Sequence, residues 1–314
     1  MALLVVTLTW VLIRMAPGNF YSTEKKLPPA IEENIKKKYG LDKSVGVQYL
    51  RMLGNVTCRT MDADETTTNG LQFTLGWQWK CLDFGDSLKY QGQSVNEIIR
   101  RHLPYSATMG ILAYLLALVI GLTAGIIAAL KQNSAFDYGS MALSMLGLSI
   151  PNFVLGPLLV LAFALGLYIL PPARWGGLSG LVLPVITLSA IYAAYIARLT
   201  RAGMLEVLRS DYIRTARAKG LDEKTVLLRH AIRGGIIPVV SFTGPALAAL
   251  LAGTVVVERV FSIPGLGNIF IQSVLNRDEP LTLGIVAFLS ILIMIFNLIV
   301  DISYGFLDPR IRYE

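Results

Sequence analysis

Leu103-Pro-Tyr-Ser-Ala-Thr-Met-Gly-Ile-Leu-Ala-Tyr-Leu-Leu-Ala-Leu-Val-Ile-Gly-Leu-Thr-Ala-Gly-Ile-Ile-Ala-Ala-Leu130 contains no Asp, Glu, Lys or Arg. A helix needs roughly 20 apolar residues to cross a hydrocarbon core about 30 Å thick, so this stretch reads as a membrane span. The same charge-free character recurs over residues 138–173, 175–197, 234–257 and 281–300. The 138–173 window exceeds one crossing and carries Pro151, Pro157, Pro171 and Pro172. It reads as one kinked span over 141–169 followed by a turn, with two short re-entrant halves as the alternative. Residues 1–13 are apolar but short. They lack the basic leader and small-residue cleavage site of a signal peptide, and read as a first span missing its initial residues.

Composition agrees. Of 314 residues 54% are hydrophobic and 16% charged, with a mean hydropathy of +0.57, whereas a soluble domain is about 25% charged. These values exclude a disordered chain, an ordinary cytosolic enzyme and a nucleic-acid module coated in basic residues. The net charge of +7 follows from topology instead. Arg201, Arg209, Arg214, Arg217, Lys219, Lys224, Arg229 and Arg233 face only Glu206, Asp211, Asp222 and Glu223 in one short loop. Such an excess marks the cytoplasmic side. With six crossings, Lys131, Arg310 and both termini then also fall inside.

The expected layout is an all-α integral membrane protein: a first span over 1–16, an extracytoplasmic domain over 17–102, and a five-span core over 103–314 with a cytoplasmic loop at 204–236. In the outward segment, Pro28-Pro29 ahead of Ile31, Ile35 and Tyr39, then Gly40, predicts a short amphipathic helix, and residues 45–53 a second. Ser94-Val-Asn-Glu97 is a capping box at the start of a helix running into the next span. This segment reads either as a solvated lid or as a docking surface for an extracytoplasmic partner. Cys58 and Cys81 both lie in it, and an oxidising compartment lets them pair, closing a loop worth about 3 kcal/mol in the loop-entropy account. Two lone thiols without a nearby histidine make a poor metal site. His102 and His230 are each isolated in sequence, and the Asn55-Val-Thr57 triplet is a weak glycosylation signal.

The basic loop predicts helix, turn, helix. Leu208, Tyr212 and Thr215/Ala216 fall on one face of the first helix. Gly220 ends it in a left-handed conformation and Asp222 caps the next. Leu227, Leu228, Ala231 and Ile232 share a side of the second. Small residues Ala216, Ala218 and Gly220 suit close approach to a groove on a soluble partner. The alternative is a basic amphipathic hairpin lying on anionic lipid.

Within the spans, Ser144, Ser149, Asn152, Thr187, Ser189, Thr254 and Asn297 either line a polar path or bond to helices, their own included. Asn152, Asn297 and Thr254 are carried as pore candidates. Pro151, Pro184, Pro238 and Pro245 remove helix hydrogen bonds and can kink spans. Phe261-Ser-Ile-Pro-Gly-Leu-Gly267 is an apolar outward loop. It reads as a membrane-surface turn or as a segment dipping back to close the outer mouth, which makes Phe261 and Pro264 gate candidates. No span carries an ionisable residue near its centre, which argues against a proton- or sodium-coupled carrier.

The hairpin Tyr212-Ile213-Arg214-Thr215-Ala216-Arg217-Ala218-Lys219-Gly220-Leu221 resembles the coupling loop of ATP-binding-cassette importer permeases, in the variant of the peptide and nickel permeases. Further likeness runs in order along the chain: Arg14-Met-Ala-Pro-Gly18, Phe84-Gly-Asp-Ser87, Ala128-Ala-Leu-Lys-Gln-Asn133, Ser149-Ile-Pro-Asn-Phe153, Phe261–Gly267, Leu275-Asn-Arg-Asp278 and Asp308-Pro-Arg310. The oligopeptide-importing branch is the nearest in pattern. Three features depart from the wider pattern. Arg214 stands where other importers carry glutamate six residues before the loop glycine, Ile232-Arg233 replace a Leu-Pro pair, and the Cys58–Cys81 stretch looks inserted.

The resemblance implies the type I ABC-importer transmembrane fold in a bacterial inner membrane. It also implies a homologous second permease, two ATPase subunits engaging Tyr212–Leu221, and an extracytoplasmic peptide-binding protein. No G-x-x-x-x-G-K-[ST] phosphate loop occurs in the chain, so no cofactor is expected on it, and ATP and Mg belong to the partner ATPases. Dipeptides, glutathione or chelated nickel are the alternative cargoes, and an ion-driven carrier or channel the alternative class.

Overall fold

The structure is a computed structural model that describes residues 2–15, 42–56, 60–63, 73–76, 84–172, 175, 177–253 and 255–307. The expected 28–40 helix, the Cys58–Cys81 pairing, Thr254 and the Asp308-Pro-Arg310 motif lie outside the described residues. The elements are α1 (Ala2–Met15), α2 (Val45–Val56), the antiparallel pair β1 (Thr60–Ala63) and β2 (Phe73–Gly76), α3 (Val95–Leu130), α4 (Ala135–Ser149), α5 (Asn152–Gly166), α6 (Leu178–Leu208), α7 (Asp211–Ala218), α8 (Glu223–Gly235), α9 (Ile237–Gly253), α10 (Val255–Val260), α11 (Leu266–Leu275) and α12 (Glu279–Leu307). The short hairpin pairs Thr60 with Gly76 and Ala63 with Phe73. Among the described residues everything else regular is helix.

Among the described residues α3, α6 and α12 are each long and apolar enough to cross a membrane, and the count reaches 5 if the bent pairs α4–α5 and α8–α9 are each one span. The α1 helix is apolar but shorter. The segment expected as one kinked span over 141–169 is bent sharply, as a broken span or a re-entrant pair would be. The α4 and α5 axes meet at 104°. Pro151 has no N–H to continue the helix, and its ring drives Ile150 into an extended conformation, φ −92° and ψ 113°. The chain therefore turns a corner, and α5 continues through a π-helical stretch at Val160–Gly166.

The chain divides into two compact units, Met1–His102 with Ile269–Ile291, and Leu103–Asn268 with Leu292–Glu314. In the first, Val6, Trp10, Leu283 and Ala287 form a small core flanked by Ile13, Tyr49 and Phe84. Trp10 lies 5.1 Å from the Tyr49 ring, and Arg14 sits over Trp10 while pairing with Glu279 at 3.2 Å. Buried Asp278 organises the rest. Its carboxylate accepts the Ser87 hydroxyl and the N–H groups of Leu88, Lys89 and Leu281, which binds the Phe84–Ser87 motif to the start of α12. The capping box forms on one side: Glu97 N–H donates to Ser94 Oγ at 3.2 Å, while the Glu97 carboxylate is held by Arg101.

In the second unit α6 is central, packed against α4, α5, α8 and α9. Its main core gathers Met109, Ala113 and Tyr114 of α3, Leu183, Leu188 and Ile196 of α6, Val239, Ala246 and Leu250 of α9, and Phe261 and Ile263. The contact of α6 with α8 is backbone to backbone, because any Cβ on Gly203 would overlap the Gly235 carbonyl. We expect Gly203→Val to cost about 1–3 kcal/mol through overpacking, read as a lowered thermal midpoint of the purified protein. Gly139→Ala, where nothing lies within 4 Å of the added methyl, is the contrasting control, expected to raise the midpoint slightly because alanine is the better helix former.

Candidate functional site: the basic hairpin and its footing

The hairpin is two short helices joined by a tight turn. Gly220 closes α7 at φ +77°, a conformation that costs glycine nothing. Asp222 caps α8 by accepting the Thr225 N–H at 3.1 Å. The two arms are tied by Arg217, whose Nε donates to Glu223 Oε2 at 3.1 Å and whose Nη2 bonds Oε1. These contacts displace the carboxyls from their ordinary range: the Thr225 side chain and N–H hold Asp222 low, and the Arg217 hydrogen bonds hold Glu223 low.

The residues expected to share one face of the first arm are divided: Leu208 and Ala216 pack inward, while Tyr212 and Thr215 do not. Ile213 and Ala216 are buried and meet Ala129, Met204, Val226 and Ala231, whereas Tyr212 is 49% exposed and Thr215 exposed. Ala216 thus belongs to the hairpin's own core. On the second arm Val226 and Ala231 face inward and Leu228 is 56% exposed. The reason is the π-helix over Val226–Ala231, whose i→i+5 pattern replaces the 3.6-residue period on which the expected face rested. What points to solvent is Tyr212, Arg214, Arg217, Ala218, Lys219, Gly220 and Leu221. This exposed surface is cationic, with the small residues Ala218 and Gly220 among the charged ones.

The tip stands on a footing that sequence reasoning missed. Arg201 of α6 donates from Nε to Asp137 Oδ1 at 2.6 Å and from Nη2 to Oδ2 at 2.8 Å. The Asp137 side chain is 2% exposed and also accepts the Asn133 N–H at 3.0 Å. Arg209 donates to Gln132 at 3.2 Å in the same turn. Bidentate pairing of this kind fixes orientation as well as distance. It joins the base of the hairpin, through α6, to the start of the broken α4–α5 element. Asp137 lies one residue before a charge-free window and Arg201 within the basic loop. The only signal in the sequence was that both stand at window edges.

The pore candidates are scattered. Ser144, Ser149, Thr187 and Ser189 each donate to a carbonyl of their own helix, at 2.8–3.0 Å. Asn152 lies at the α4–α5 corner with its Oδ1 buried and without a hydrogen-bond partner. Asn297 is exposed on α12, beside Gly244 of α9. Phe261 is buried, and Pro264 partly so, in a loop folded into the bundle. Among the described residues no cluster of His, Cys, Asp and Glu could hold a metal.

A bundle of apolar helices carrying a basic hairpin on a charge-paired footing is the setting in which comparison with known proteins places this chain among membrane transport components. Residues 121–313 match the family described as the binding-protein-dependent transport system inner membrane component. The oligopeptide transport system permease protein OppB of Haemophilus influenzae is 41% identical over 312 residues, covering 99% of this chain and 94% of that protein. The dipeptide transport system permease protein DppB of Bacillus subtilis is 38% identical over 310 residues, covering 99% and 93%. Among solved structures, the inward-facing MetNI methionine ABC transporter aligns with a TM-score of 0.57 at 18% identity, covering 67% of this chain and 96% of that one. The chain belongs to the family of inner-membrane components of binding-protein-dependent transport systems, and has the transmembrane fold of ABC importers.

Because Asp222 and Glu223 are held low, their contribution to the hairpin is complete above the ordinary carboxylate range of about pH 4–4.5. It is lost as the pH falls through their depressed values. The protection of the Thr225 amide, its exchange set against that of an unstructured peptide at the same pH, is expected to hold from neutral pH to about pH 5 and to fall in stronger acid. Asp222→Ala should lower that protection about fivefold at neutral pH by removing the cap.

Proposed function

We propose that this chain is the permease subunit of an ATP-driven importer that translocates oligopeptides delivered by an extracytoplasmic binding protein. The observation that carries this reading is the likeness to oligopeptide permeases over 99% of the chain. In this reading α1 is the first of six crossings, both termini are cytoplasmic, and residues 17–102 face outward. A homologous second permease completes the path, and two ATPase subunits bind the hairpin 212–221 from the cytoplasm. ATP and its Mg sit on those subunits. This chain hydrolyses nothing itself.

The mechanism follows from stiffness. A groove that closes around the cationic tip displaces α7 and α8 together, because Arg217–Glu223 and the Ile213/Ala216 core hold the arms as one piece. The Gly203–Gly235 contact leaves no side-chain layer to absorb that motion before it reaches α6. The Arg201–Asp137 pair then passes it to α4 and the α4–α5 corner. Coupling is therefore rigid-body transmission of work performed elsewhere. A dipeptide cargo on the same architecture is the second reading, supported by the 38% identity to a dipeptide permease.

The test is uptake of a labelled short peptide in cells whose only peptide importer contains this chain. Ala218→Glu places a charge at the exposed apex and is expected to cut uptake about tenfold or more, as disruption of a buried contact at an interface centre does, with the subunit still inserted. Ala216→Glu is expected instead to reduce the amount of folded subunit. Full uptake by Ala218→Glu, or uptake that persists without the ATPases, would overturn the proposal.

A further inference from the structure

Glu258, at the end of the last-but-one span, is fully buried, and nothing in the coupling mechanism uses it. Its surroundings are specific. Ser106 of α3 donates its hydroxyl to Glu258 Oε1 at 2.6 Å, and the same oxygen of Ser106 accepts the Leu266 N–H at 2.8 Å. The Asn268 N–H donates to Oε2 at 2.8 Å. The carboxylate therefore serves the first turn of α11, where the leading N–H groups have no partners within the helix and the helix dipole favours a negative charge.

Between Glu258 and α11 lies the loop Phe261–Gly267, stapled at both ends. Ile263 N–H bonds back to the Glu258 carbonyl at 2.8 Å. Phe261, Ile263 and Leu266 are buried, Phe261 against Gly156 and Val260. Ser262 is held at φ 49°, a backbone region that non-glycine residues occupy only when their surroundings impose it. Gly265 packs on the carboxyl group so closely that a Cβ there would overlap Glu258 Cδ and both oxygens. The glycine is thus the seat of the carboxylate. Burying a charge beside apolar residues is costly unless it is fully hydrogen-bonded, so this arrangement is stable only while every partner stays in place.

We propose that Glu258 is a positioning residue that latches the 261–267 loop into the bundle, and that withdrawal of this loop from its carboxylate seat opens the outward end of the transport path. The proposal rests on the function proposed above for the sense of outward, while the latch itself rests on the contacts just described. Glu258→Gln keeps the shape but presents an NH2 to a hydrogen-bond donor, leaving one donor of the Ser106/Asn268 set unanswered. Gly265→Ala keeps the carboxylate and removes its seat. Both release the loop by different means.

The experiment uses the whole transporter in right-side-out vesicles, with Ile263→Cys as reporter and a membrane-impermeant maleimide outside. Labelling at Cys58 and Cys81 of the parent chain is subtracted, and rates are expressed per assembled complex. Glu258→Gln and Gly265→Ala are each expected to raise the labelling rate about tenfold, as loss of a charge-assisted hydrogen bond shifts a two-state loop. Peptide taken up per ATP hydrolysed should fall in parallel. If either variant fails to assemble, Ser106→Ala, which removes the bridging hydroxyl, decides the matter by the same readout. Unchanged labelling per complex in the variants that assemble would overturn the latch. Faster labelling in a transporter that takes up no peptide even as wild type would leave the latch standing and remove the proposed function instead.

Discussion

Hydrocarbon admits no unpaired charge, and the placement of three carboxylates at the edges of the apolar windows organises this protein. Asp137, Asp278 and Glu258 are all buried, and each accepts at least one backbone N–H as well as a side-chain donor from far along the chain. A buried carboxylate left without such partners would be strongly unfavourable. The loops around them are therefore fixed with the precision of secondary structure. Helices do the crossing, but these three side chains decide where the chain turns.

The turns differ in what they hold. Asp278 secures the Phe84–Ser87 motif to the beginning of the last span. Asp137 orients the α4 start against α6, and Glu258 seats a glycine-rich loop. Elsewhere the helices meet through small residues, as where Gly121 and Gly125 of α3 approach α6. Packing of that kind supplies association in lipid, where the hydrophobic effect gives no preference for another helix over acyl chains. Ionic contacts at the edges and close backbone contacts inside share the task.

How much of this could be read in the chain beforehand depends on range. The spans were legible because exclusion of charge is a property of each segment by itself. So were Gly220 and Asp222, whose roles are settled within four residues of where they stand. The α4–α5 corner was only half legible: Pro151 announced a break, but the angle depends on what α5 packs against. On the second arm of the hairpin Leu227, Ala231 and Ile232 were legible as one side, while the outward turn of Leu228 was not, because a local π-helix changes the repeat and no residue type in Val226–Ala231 signals it. Glu258, Asp137 and Asp278 looked like ordinary flanking charges, since the side chains that pair with them lie between 64 and 191 positions away.

The π-helical segment has one more implication, concerning descent rather than motion. A stretch of i→i+5 bonds is what remains when an α-helix takes in a single extra residue without shifting its ends. Removing one residue from Val226–Ala231 would let the helix tighten to 3.6 per turn and rotate one end against the other by about 100°. Each residue beyond the deletion would then take the direction its neighbour had. A lineage can retune which surface this arm presents by gaining or losing one codon.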